Sequence, residues 1–208
     1  MPTLELDHLV IGASSLEAGA PALAALTGVE LEAGGRHDGF GTHNRLLSLG
    51  PRTYLELIAA DPDQPPPARP RPFGLDEPEV IERMALRPRL LSYVVRTDDI
   101  AAARTALGLS AGRINIMRRG NLQWKISLPG RDDPPGTPIL IEWGDNPNPS
   151  STLPDRGLRL AGLSIGVPEA GARILAPLAA DRRIRIEAAG KVNLAAELET
   201  PAGAVRLD

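Results

Sequence analysis

A chain of 208 residues with 42% hydrophobic and 24% charged residues is long enough to bury a sizeable core without a covalent staple. Zero cysteines exclude disulfides, thiolate-bound zinc and thiol catalysis, and a formal charge of -3 with only 3% aromatics argues against a nucleic-acid partner. No apolar run approaches the ~20 residues of a membrane span and no basic-then-apolar leader is visible, so no membrane association and a cytoplasmic location are expected.

From Leu6, LDHLVIGASSLEAGAPALAAL reads as an apolar strand whose exit residues, Ser14 or Ser15, cap an Ala/Leu-rich helix. Strand-like pieces follow at VELEAG, NRLLSLG and TYLELIA. Within this stretch GGRHDGFGTHN is Gly-rich, but it has no Lys-Ser/Thr and no helix start after it, so it is expected as a loop over a cleft mouth rather than a phosphate cradle. His37 reads there as a solvated loop residue. The Pro-rich DPDQPPPARPRP is an extended surface excursion, and DEPEVIERMA is a short helix.

The first pattern then returns. LLSYVVRTDDIAAARTALGL, from Leu90, is a strand with Asp98 or Asp99 as helix cap, followed by GRINIMRR, LQWKISLPG and PILIEWG. After NPNPSSTLPD, a linker, LAGLSIGVPEAGARILAPLAA begins a third copy at Leu160, with Pro168 suited to a first helical turn. RIRIEAAG, VNLAAELETP and AVRLD complete it. Each unit is therefore β-α-β-β-β. The fold class expected is α+β: paired βαβββ modules forming a curved mixed sheet around a cleft, with a third, degenerate module at the C-terminus. The boundaries read as 1–146 for the pair (modules at about 4–60 and 89–145), 147–157 for the linker and 158–208 for the third module. One unit cannot bury its own sheet, so the third is expected to extend the main sheet or to pair with its copy in a homodimer.

GLSIG at 162–166 matches the Gly-x-Ser-x-Gly nucleophile pattern, yet Ser164 falls within a strand and all three histidines precede it. The hydrolase order of residues cannot be met.

Strand residues alternate between faces, and the apolar set marks the helix-covered face. Leu9 and Ile11 then pack, leaving His8 opposite; Leu55 and Leu57 pack, leaving Glu56. In the second unit Leu91, Tyr93 and Val95 pack, leaving Ser92, while Ile139, Ile141 and Trp143 pack, leaving Glu142. Asn44, Gln123 and Lys125 fall on the same face as His8. Position 92 lies 84 beyond position 8, and position 142 lies 86 beyond position 56, which supports the repeat. Ionised carboxylates in apolar strands need partners. His8 is either a metal ligand or a cleft-wall histidine hydrogen-bonded to Glu56.

Paired modules with polar residues on their first and fourth strands resemble the vicinal-oxygen-chelate superfamily, which includes glyoxalase I, extradiol dioxygenases and the fosfomycin- and bleomycin-resistance proteins. LDHLVIGASSLEAG, HDGFGTHNRLLSLGPRTYLELIAADP, VVRTDDI and ILIEWGD are similar to the glyoxalase-like domain family. The resemblance implies a divalent metal (Zn, Ni, Mn, Fe or Mg) on His8, Glu56 and Glu142, with Ser92 a departure at the fourth position. It implies a lyase or isomerase acting on a small oxygenated substrate through an enediolate-type intermediate, with Glu142 moving the proton. Asn44, His43, Ser92, Gln123, Lys125 and Arg118 are the substrate-binding candidates. The alternative is a non-catalytic protein that binds a small molecule in the same cleft. A dioxygenase ranks lower, because a second histidine ligand is missing.

Overall fold

Ser15 ends the first strand, β1 (Glu5–Gly12), and starts the helix behind it. Its side chain accepts the amide hydrogen of Ala18 at 3.1 Å, and α1 (Leu16–Thr27) stops at Gly28, whose φ of 74° suits glycine. Strands β2 (Glu32–His37), β3 (Thr42–Ser48) and β4 (Tyr54–Ala60) complete the unit. The computed structural model describes residues 1–110, 113–119 and 122–208. After the excursion and α2 (Pro78–Leu86) it repeats the order in β5 (Arg89–Arg96), α3 (Ile100–Ala106), β6 (Ile114–Arg119), β7 (Leu122–Ser127) and β8 (Ile139–Glu142). Asp99 caps α3 as Ser15 caps α1, accepting from Ala102 N at 3.0 Å.

The eight strands form one curled mixed sheet in the order β2-β3-β4-β1-β5-β8-β7-β6. β1 and β5 run antiparallel at its centre, and each is parallel to the last strand of its own unit. This is the α+β architecture of paired βαβββ modules around a cleft. The convex side carries α1 and α3; the concave side is the cleft. The segment GGRHDGFGTHN is not a loop: it is most of β2, a tight turn and the start of β3.

The third unit, β9 (Arg159–Val167), α4 (Glu169–Leu175), β10 (Ile184–Ala188), β11 (Asn193–Thr200) and β12 (Gly203–Leu207), makes a separate four-stranded sheet. It neither extends the first sheet nor needs a second copy to cover it. Leu163, Ile165 and Val167 join Leu9, Leu57, Tyr93 and Val95 in one apolar cluster with the helices. The reason is coverage. α3 and α4 have seven residues each, roughly 10 Å of helix, too little to shield a sheet, so the two sheets shield each other. Ser164 lies mid-strand, opposite Arg185 and Ala195. Among the described residues no helix is long and apolar enough to cross a membrane.

Candidate functional site

Regular alternation would put Asp7 and His8 on opposite faces of β1. A bulge prevents this: along β5, Leu6 pairs with Val95 and His8 with Val94, leaving Asp7 as the extra residue. Asp7 is fully buried and serves as a hub. Its Oδ1 lies 2.7 Å from His8 Nδ1, and its Oδ2 accepts from Trp143 Nε1 at 3.0 Å and Asn148 Nδ2 at 2.6 Å. With Nδ1 held there, His8 presents Nε2 to the cleft, 3.5 Å from Glu56 Oε2. That separation exceeds a tight hydrogen bond. Tyr54 stacks on the imidazole with centroids 4.4 Å apart.

Glu56 Oε1 accepts from Asn44 Nδ2 at 2.6 Å, and Asn44 Oδ1 accepts from Gly35 N at 2.8 Å. The second contact depends on an irregular β2, which slips register against β3 between Ala33 and Arg36. A Cβ on Gly34 would fall 2.0 Å from Asn44 Oδ1, so only glycine leaves room for that side chain. His37 closes the group. Its Nδ1 is 2.9 Å from Thr42 Oγ1, and its Nε2 is 3.2 Å from Asn44 Nδ2 and 3.7 Å from Glu56 Oε1. His37 is thus a cleft residue, not a solvated one. Asp38-Gly39 is a hairpin-turn signal that places His37 opposite Thr42.

The charges are strongly coupled. Burial favours a neutral His8, but Asp7 and Glu56 together outweigh it and raise its pKa to about 9. Burial likewise opposes an ionised Glu56, yet His8, with His37 and Asn44 assisting, holds it down at about 2. At neutral pH the pair is imidazolium and carboxylate.

The opposite wall is apolar. Val94, Trp124, Ile126, Ile139, Ile141 and Trp143 face a narrow cavity of about 90 Å³. This reverses the expected faces of β7 and β8. Glu142 points to the convex side, where its Oε2 accepts from Ile100 N at 3.2 Å at the start of α3 and its Oε1 from Lys125 Nζ at 2.6 Å. Glu142 and Lys125 therefore do not meet His8 and Glu56. Gln123 and Arg118 pair with each other on the exposed surface at 3.1 Å. His43 turns away from the cleft toward Asp61, at 4.0 Å. Ser92 does not reach the cavity; the β5 residue that does is Val94. Of the substrate-binding candidates, Asn44 alone lines the cavity. The physical reason is that hydrophobicity marks a helix-covered face only when the other face is polar, and in the second unit both faces are apolar.

His8 and Val94 pair across the centre of the sheet, and facing His8, Asn44 and Glu56 the second unit presents Val94, Trp124 and Ile141 to the cavity. The residues do not fit a metal site shared between modules. The second module offers hydrocarbon and indole at those positions, and Glu56 Oε1 is engaged by Asn44. Among the described residues no group of three or more His, Asp or Glu is placed to hold a cation.

A model of the glyoxalase-like domain family matches residues 6–179. A hypothetical protein from Staphylococcus aureus has the same fold across 99% of each chain, with 14% identity and a TM-score of 0.60. Methylmalonyl-CoA epimerase from Streptomyces coelicolor is 18% identical over 70% of this chain and 100% of that one, with a TM-score of 0.47. The epimerase from Mycobacterium tuberculosis is 19% identical over 71% and 91%, with a TM-score of 0.46. No curated protein matches the chain.

Proposed function

The chain belongs to the glyoxalase-like domain family, within the vicinal-oxygen-chelate superfamily, and from that premise we propose that it is a proton-transfer enzyme, an isomerase or lyase, using the His8–Glu56 pair on a small carbonyl substrate. One observation carries the reading: a buried imidazolium and carboxylate lie side by side at 3.5 Å, facing a cavity whose opposite wall is apolar. A substrate carbonyl oxygen takes a hydrogen bond from His8 Nε2. Glu56 removes the proton from the adjacent carbon, and the electron pair moves onto the oxygen as an enolate, which the imidazolium stabilises. Return of the proton to another position or face isomerises the substrate; loss of a β-substituent makes the step a lyase reaction. Asp7 keeps the imidazole charged and oriented throughout. Glu56, not Glu142, is the base in this scheme.

The scheme uses only residues of the first unit and routes no step through a metal. In D₂O, proton NMR of a panel of small ketones and 2-hydroxy ketones follows exchange at the carbon beside the carbonyl. The intact protein accelerates exchange, Glu56→Gln slows it by about 100-fold or more, and dialysis against a chelator leaves the rate unchanged. No acceleration with any member of the panel defeats the reading.

A second reading, small-molecule binding without turnover, is favoured by one observation. Glu56 sits at about 2, far below the working pH that suits a base. Saturable binding without exchange supports it.

A further inference from the structure

The protein contains two Trp, two Tyr and two Phe, and five of these six side chains surround the cleft. They arrive from separate places: Tyr54 on β4, Trp124 on β7, Trp143 just after β8, Phe40 in the β2–β3 turn and Phe73 from the excursion. Only Tyr93 lies elsewhere, on the helix-covered side, where its hydroxyl donates to Gly136 O at 3.0 Å. A chain so poor in rings would spread them if they served general packing. Leu, Ile and Val fill the other core cluster almost alone.

Two further observations point to a ligand rather than to filling. Phe73 takes φ 63°, the left-handed region that disfavours a residue with a side chain, so its delivery to the cleft is held against a backbone cost. The rings also form two facing sets. Tyr54 lies flat on His8, tilted by 20°, at the polar end, while Trp124 and Trp143 pack with centroids 5.3 Å apart and a 33° tilt on the apolar wall. The cavity between them is narrow.

Charge limits the occupant's head group. Among the described residues no Lys or Arg lines the cavity. His8 already faces two carboxylates, Asp7 at 2.7 Å and Glu56 at 3.5 Å, and the other imidazole of the cavity, His37, lies 3.7 Å from Glu56. A ligand carboxylate or phosphate would be desolvated beside Glu56 with no positive charge left to receive it. A neutral oxygen can accept from His8 Nε2 without that cost.

We propose that the ligand of this cleft is a planar aromatic compound with an uncharged carbonyl or hydroxyl head, the ring lying against the tryptophan wall and the oxygen at His8. This names the substrate class for the proton-transfer reading and rests on that reading for its chemistry, but its test reads binding alone. The intact protein is titrated by calorimetry with acetophenone, cyclohexyl methyl ketone and benzoate. Acetophenone should bind saturably and at least about tenfold more tightly than either of the others. Trp124→Leu should lose that preference while keeping affinity for the cyclohexyl ketone. If that variant does not fold, Phe40→Leu in the turn serves the same comparison.

Equal affinity for ring and cyclohexyl ketones, tighter binding of benzoate, or no saturable binding of acetophenone overturns the proposal. Failure here is separable from failure of the catalytic reading. Proton exchange on aliphatic ketones without aromatic preference removes only this inference. Aromatic preference without exchange supports it and removes only the catalysis.

Discussion

In the first unit the buried ion pair sits inside the cleft; in the second it sits behind the sheet. Arg104 of α3 reaches Asp133 Oδ2 at 2.6 Å and Ser127 Oγ at 3.0 Å, and Ser110 and Gly130 donate to the same carboxylate. Burial opposes the charge on Asp133, but Gly130 N, Arg104 and Ser110 hold its pKa at about 2. This group is saturated with partners and does not line the cleft, so it acts as a structural clasp for the loop before β8. The His8–Glu56 pair, at 3.5 Å beside open space, retains capacity for a ligand. Two copies of one architecture have thus divided the work. One supplies charge to the cleft and the other supplies its apolar wall.

Asp133→Ala should produce the largest loss of stability, about 3–5 kcal/mol by urea denaturation, because it strands a buried guanidinium. Ligand binding by the remaining folded protein should be unchanged. A loss under about 1 kcal/mol would show that the two ion pairs do not differ as described.

The pH dependence tests the first unit. His8 has a raised folded pKa, so its contribution is full below about 6.5 and disappears as pH rises through about 9. Glu56 has a depressed one, so its contribution is full above about 4.5 and is lost as pH falls toward 2. Between pH 6.5 and 10 the wild type should lose up to about 3 kcal/mol through His8, and His8→Gln should show a flatter profile over that range. Identical profiles would refute the raised pKa.

The smallest effect belongs to Glu142→Gln. Its partner Lys125 is half exposed, so solvent screens the pair and the midpoint of urea denaturation should barely move. The proton exchange rate should be unaffected. An exchange defect comparable to that of Glu56→Gln would return Glu142 to the site.

Much of the first unit is legible in the residues. Leu9, Ile11, Leu55 and Leu57 alternate with His8, Val10, Tyr54 and Glu56, so His8 and Glu56 fall on the cleft face by parity alone. The second unit defeats the same rule. Ile139, Ile141 and Trp143 are apolar because they line a ligand-sized space, and Leu140 is apolar because it packs under α3; alternation cannot rank two hydrophobic faces. Ser92 holds His8's place in the repeat, since both strands and both helix caps are offset by 84, but the residue that pairs with His8 and lines the cavity is Val94.

The amino-acid order by itself determined the three βαβββ units, the helix caps to within one residue (Ser14 or Ser15, Asp98 or Asp99), and the face carrying His8, Asn44 and Glu56. Those features depend on neighbours a few residues apart. Only the tertiary structure decided that Asp7 supports His8, that His37 joins Glu56, that Glu142 turns to α3 and that the third unit's sheet closes over the first sheet. Each depends on a strand or helix that meets its partner from far along the chain, where register, bulges and competing apolar faces choose among arrangements that local pattern leaves equal.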